Sequence, residues 1–138
     1  MRSERNGETA PAERPAPKRI TADYLRRAAL YYLERYSVPA AQLQRVLLRK
    51  VERSCRHHGV DPQAFRATVE EIVMSCVASG LVDDRRFAEA RAQSLRRKGR
   101  SARAVAAGLA TKGVERGLIA EVAVADEDAE QDAARIAA

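Results

Sequence analysis

Residues 37–60, SVPAAQLQRVLLRKVERSCRHHGV, read as one complete helix with its own start and stop. Ser37 offers a cap, and Pro39 falls in the first turn, where a missing N–H costs nothing. Leu43, Val46, Leu47 and Val51 recur at the spacing of one helix face. Gly59-Val60 ends the helix, because glycine adopts the left-handed conformation after the last turn and the next apolar residue is expected to pack back on it. Opposite the apolar stripe, Arg45, Arg49, Arg53 and Arg56 form a continuous basic one.

The same grammar extends in both directions. Upstream, Thr21 is an N-cap candidate for a helix ending near Tyr36, with Leu25, Ala28, Ala29, Tyr32 and Leu33 on one face. Downstream, Asp61-Pro62 starts a third helix with Phe65, Val69, Ile72, Val73 and Cys76 inward, and Gly80-Leu81 stops it. Asp83 or Asp84 caps a fourth carrying Phe87, Ala90, Ser94 and Leu95. A fifth runs from about Ser101 to Lys112 with Val105 and Leu109 inward and stops at Gly113-Val114. A sixth, from about Glu115, presents Leu118, Ile119 and Val122. No stretch shows the period-2 alternation of a half-buried strand, so the fold class is all-α.

A constant offset of 62 residues organises these helices. Leu25, Ala28, Leu33, Leu43, Leu47 and Lys50 correspond without a gap to Phe87, Ala90, Leu95, Val105, Leu109 and Lys112. After Lys50 the first copy runs on to Gly59, whereas the second stops at once after Lys112, so the first copy has the longer second helix. Tandem three-helix repeats forming an elongated helical array are expected, with a core continued by stacking neighbours.

Composition narrows the function. The chain has 138 residues, 46% hydrophobic but only 4% aromatic, with 27 alanines, which suits thin helical layers. Its apolar runs fall well short of the roughly 20 residues of a membrane span, and no signal-peptide core is visible, so a soluble, cytoplasmic protein is expected. Cys55 and Cys76 form no CxxC pair. With His57 and His58 nearby, Cys55 invites a metal reading, but no complementary ligand cluster exists, and reduced structural thiols are the better reading. Neither a phosphate cradle nor a nucleophile with a base and an orienting carboxylate is present, so no enzyme activity and no cofactor are expected. Adjacent acids at a helix start, Asp83 and Asp84, are read as caps rather than as a cation site.

The net charge of +6 conceals bands: +5 over 21–58, −4 over 59–84, +8 over 85–116 and −5 over 117–138. The basic bands fall on the first two helices of each repeat. Beside the stripe of Arg45, Arg49, Arg53 and Arg56, the residues Arg96, Arg97, Lys98, Arg100 and Arg103 cluster around a turn, where side chains fan outward; Lys112 ends the following helix. Two such clusters at equivalent places mark a partner-binding surface. Any direct nucleic-acid contact is expected through phosphates, since aromatic material for stacking is scarce.

Several of these elements together resemble the RecX family of regulators of the RecA recombinase. They are Tyr36-Ser37 before the Gln42-Leu43 helix, the junction Gly80-Leu81-Val82-Asp83-Asp84 leading into Arg86-Phe87-Ala88, the Gly99/Ser101 turn after Arg96-Arg97-Lys98, and Leu109-Ala110-Thr111-Lys112-Gly113-Val114. The resemblance covers about residues 20–125. It implies tandem three-helix repeats, binding in the helical groove of the RecA nucleoprotein filament, and inhibition of recombinase and ATPase activities without chemistry by the regulator itself, within recombination, DNA repair and the SOS response. Two departures stand out: Lys50-Val51 where the family often has Lys-Gly, and two repeats where members commonly have three.

The expected organisation is a disordered leader over 1–19, a first repeat over 20–82, a second over 83–125, and a C-terminal helix or partial third repeat over 126–138. Ala129, Ala133, Ile136 and Ala137 share one face of that last segment. The expected partner is the RecA filament, bound by a monomer, with single- or double-stranded DNA as a second partner. A general DNA-binding protein acting on phosphates is the alternative function, and a scaffold for unrelated proteins the third.

Overall fold

The computed structural model describes residues 15–137. Among the described residues six α-helices follow one another: α1 (Ala22–Arg35), α2 (Ala40–His58), α3 (Arg66–Ala78), α4 (Asp84–Arg97), α5 (Ala102–Lys112) and α6 (Arg116–Ala137). One turn of 3₁₀ helix, Pro62–Phe65, leads into α3. Among the described residues there is no strand, and no helix is long and apolar enough to cross a membrane.

The helices pack as two bundles, each around its own core. In the first, α1, α2 and α3 enclose Leu25, Leu43, Leu47, Val51, Val69 and Ile72, with Cys55 and Cys76 in the same cluster. Leu25, Leu43 and Leu47 are fully buried, each stabilising the fold by about 1.5–3 kcal/mol. In the second, α4, α5 and α6 enclose Ala88, Ala92, Leu95, Val105, Leu109, Val114 and Val122. Two alanines on the buried face of α4 let the helices approach closely but contribute little area. The second core is therefore the thinner one.

The 62-residue offset is visible in the backbone. Thr21 and Asp83 cap α1 and α4, each accepting from an amide three residues on, and both helices are 14 residues long. Helices α2 and α5 begin 62 residues apart and run for 19 and 11 residues, so α2 is the longer by about two turns. Both end on a left-handed glycine, Gly59 at φ 71° and Gly113 at φ 95°. There the Val60 N–H donates to the Cys55 carbonyl, and the Val114 N–H to the Leu109 carbonyl.

Several expectations are corrected. Ala90 is exposed, because the buried face of α4 runs through Ala88, Ala92 and Leu95, and Ala90 lies about 200° around the helix from Ala88. At the end of α3 the residue that packs back is Val82, 2% exposed, and not Leu81, 53% exposed. Val60, 38% exposed, packs back only in part. Ser37 caps nothing; Pro39 occupies the N-cap position of α2 and offers no side-chain hydrogen bond.

The leader expected over 1–19 falls outside the described residues up to residue 14. Its described end is held rather than free. Ser54 Oγ donates to the Lys18 carbonyl at 2.6 Å, and His58 Nε2 lies 2.9 Å from the Pro17 carbonyl, which can only accept, so that nitrogen carries the proton. Ile20 follows into the first core. At the other end, residues 126–137 continue α6 without a break instead of forming a separate element. The side chains of Ala129, Ala133, Ile136 and Ala137 lie outside the described residues.

Candidate partner-binding surface

Because Leu43, Val46, Leu47, Val51 and Cys55 turn one face of α2 into the core, the positions half a turn away must face water. Arg45, Arg49, Arg53 and Arg56 occupy them and are all exposed. They do not all do the same thing. Arg45 reaches the second bundle, where its Nη1 donates to the Thr111 carbonyl at 3.4 Å, a long contact. Its guanidinium lies over Gly113, so close that a Cβ added there would sit 2.6 Å from Arg45 Nη2. Arg49, Arg53 and Arg56 have no carboxylate partner among the described residues and are free to meet an anion.

The second cluster is presented by a stiff turn. Helix α4 ends with the Gly99 N–H donating to the Arg96 carbonyl and the Arg100 N–H to the Leu95 carbonyl. Ser101 Oγ then caps α5 by accepting from the Ala104 amide at 3.2 Å. Around this turn Arg97, Lys98, Arg100 and Arg103 are exposed, while Lys112 is half-buried at the end of α5.

Arg96 is the correction. Although it neighbours Arg97 in sequence, a rotation of about 100° per residue points it at α6. There Arg96 Nη1 donates to Asp126 Oδ2 at 2.5 Å, with both side chains about three-quarters buried. Arg85 makes a similar link to Glu121. Part of the acidic band of α6 is thus consumed in tying α6 to α4, and Arg96 acts as a strut of the second bundle rather than an outward contact.

Asp84 is a second residue whose role lay hidden. Asp83 caps α4 by accepting from the Arg86 amide at 3.0 Å. Asp84 points the other way and accepts from the Ala40 amide, in the first turn of α2, at 2.8 Å. It supplies the cap that Ser37 and Pro39 do not.

One feature ran against the low aromatic content. All four tyrosines of the chain, Tyr24, Tyr31, Tyr32 and Tyr36, line a single open groove of about 610 Å³ on α1. The signal was available, since all four fall within one helix and its C-cap; only a percentage taken over the whole chain hid it. Elsewhere, Cys55 and Cys76 are free and buried, and burial raises the Cys76 thiol above its ordinary range. Among the described residues, no group of three or more His, Cys, Asp or Glu side chains is placed to hold a metal ion.

Comparison with known proteins bears on the family of the chain as a whole. Residues 83–122 match the family model described as RecX, second three-helix domain. The chain is 46% identical over 123 residues to Regulatory protein RecX of Myxococcus xanthus (strain DK1622), covering 87% of this chain and 65% of that protein. It thus spans about two thirds of the length of that relative. No solved structure matches. A matched second domain on α4 to α6, and a similarity that extends through the first bundle as well, place the chain in the RecX family.

Proposed function

We propose that the chain is a non-enzymatic regulator that binds the RecA nucleoprotein filament and lowers its recombinase and ATPase activities, so modulating recombination and DNA repair in the cytoplasm. The observation that carries this reading is the 46% identity to a curated Regulatory protein RecX across both bundles. The working units are residues 20–82 and 83–125, acting together as a monomer. Arg49, Arg53 and Arg56 on α2, with Arg97, Lys98, Arg100 and Arg103 at the α4–α5 turn, are the contact residues. Arg45 and Lys112 lie nearer the junction and orient the two faces. No cofactor is required, because holding mobile filament parts together needs only complementary charge and shape.

The second reading, a general DNA-binding protein, is favoured by the absence of carboxylate partners for Arg49, Arg53 and Arg56 among the described residues. It requires DNA affinity without RecA and a steep fall of affinity with salt. Titration of the chain into RecA-driven, DNA-stimulated ATP hydrolysis, run beside a DNA-binding assay across salt concentrations, separates the two. A pull-down that recovers no RecA favours the scaffold reading.

A further inference from the structure

We infer that the tyrosine groove on α1 is a binding site for single-stranded nucleic acid, which it holds by stacking bases on its rings while cations line the phosphates. Tyr31 and Tyr36 are 59% and 55% exposed, unusual for rings of this size on a helix with a core to fill. Tyr32 and Tyr36 stand with ring centroids 4.8 Å apart, and the Arg35 guanidinium sits 4.5 Å over the Tyr31 ring. The groove is otherwise lined by Lys18, Arg27, Ala28 and Lys50, with no carboxylate among the described residues that line it. Aromatic faces interleaved with cations along an open groove are what a sequence-tolerant single-strand site needs.

The alternatives fit less well. An acidic protein segment would use the four cations but would bring its carboxylates against the electron-rich faces of the exposed Tyr31 and Tyr36. Duplex DNA offers phosphates but keeps its base faces stacked within the helix. Of the three, the unpaired strand uses both chemistries at once. The site is separate from the stripe of Arg49, Arg53 and Arg56, and its occupation needs no recombinase, so it stands if the RecA reading fails.

The sequence contains no tryptophan, so the intrinsic emission of the folded chain comes only from these four tyrosines and reports directly on the groove. The chain is titrated with an oligothymidylate of about a dozen nucleotides, a length within the range of single-strand sites. The same titration is run with an abasic oligomer of equal length and charge. Saturable quenching by the oligothymidylate, and at least roughly tenfold weaker binding of the abasic oligomer, are expected. The double variant Tyr31→Ala/Tyr36→Ala, followed by anisotropy of a labelled strand, loses affinity by roughly tenfold per ring, whereas Tyr31→Phe/Tyr36→Phe retains it. Absence of saturable quenching overturns the proposal. So does equal binding of the abasic oligomer, a comparison on the unaltered chain that does not depend on any variant folding.

Discussion

Asp84 caps a helix of the other bundle: its carboxylate, at the first position of α4, accepts from the Ala40 amide of α2 at 2.8 Å. The start of α2 otherwise lacks a side-chain acceptor, so the free amides and positive end of that helix are answered from across the junction. With Arg45 reaching Thr111 from the opposite direction, the two bundles exchange polar contacts rather than share a core.

This exchange separates two adjacent acids by experiment. Asp84→Ala is expected to cost about 0.5–2 kcal/mol and to speed amide exchange in the first turn of α2. Asp83→Ala is expected to cost a similar amount but to speed exchange in the first turn of α4. Identical exchange patterns for the two variants would refute the cross-bundle cap.

Gly113 is constrained twice. Its φ of 95° disfavours any L side chain, and an added Cβ would lie 2.7 Å from the Cβ of Ala41 on the facing helix. Gly59, at φ 71°, has open space around it. Gly113→Ala should therefore lower stability by clearly more than the roughly 1 kcal/mol that left-handed strain alone costs at Gly59. Comparative urea unfolding of the two variants reads the difference.

The Arg96–Asp126 pair joins α4 to α6 with both partners mostly shielded from water. Arg96→Ala and Asp126→Ala should each destabilise the second bundle by about 1–3 kcal/mol, between the values for exposed and buried pairs. The double variant should cost less than the sum, a coupling that a double-mutant cycle measures. Arg97→Ala, by contrast, should leave stability within about 0.5 kcal/mol of the parent.

Burial holds the Cys76 thiol in its neutral form. Its folded pKa is raised, so the stability it contributes is present while pH stays below the ordinary thiol range and is lost as pH rises through the folded value. Urea midpoints should fall on alkaline titration, and fall less steeply in Cys76→Ala. Because the thiolate is the reactive form, alkylation of Cys76 in the native protein should be slow at neutral pH and accelerate on unfolding.

Local physics explains what was legible in the sequence. Apolar residues such as Leu43 and Leu47, three to four apart, must share a helix face, and a glycine followed by valine ends α2 and α5 by the same hydrogen bond. These signals span at most a few residues. The 62-residue offset could be read because it needed only such local signals, repeated. What could not be read was rotation and reach. Arg96 and Arg97 are chemically identical neighbours, and only the position of α6 makes one a strut and leaves the other exposed. Asp84 finds its amide 44 residues away, a distance no cap motif encodes. The tyrosines were different: their clustering was legible, and counting aromatics over the whole chain concealed it.

RecA-driven hydrolysis of ATP on single-stranded DNA, titrated with the purified chain, tests the central claim most directly. Hydrolysis should fall at stoichiometric amounts of chain or below. The triple variant Arg97→Glu/Arg100→Glu/Arg103→Glu, which spares the strut Arg96, should need at least roughly tenfold more protein for the same effect, the loss expected when several contact charges are reversed. Unchanged hydrolysis over a wide range of chain concentrations would contradict the account.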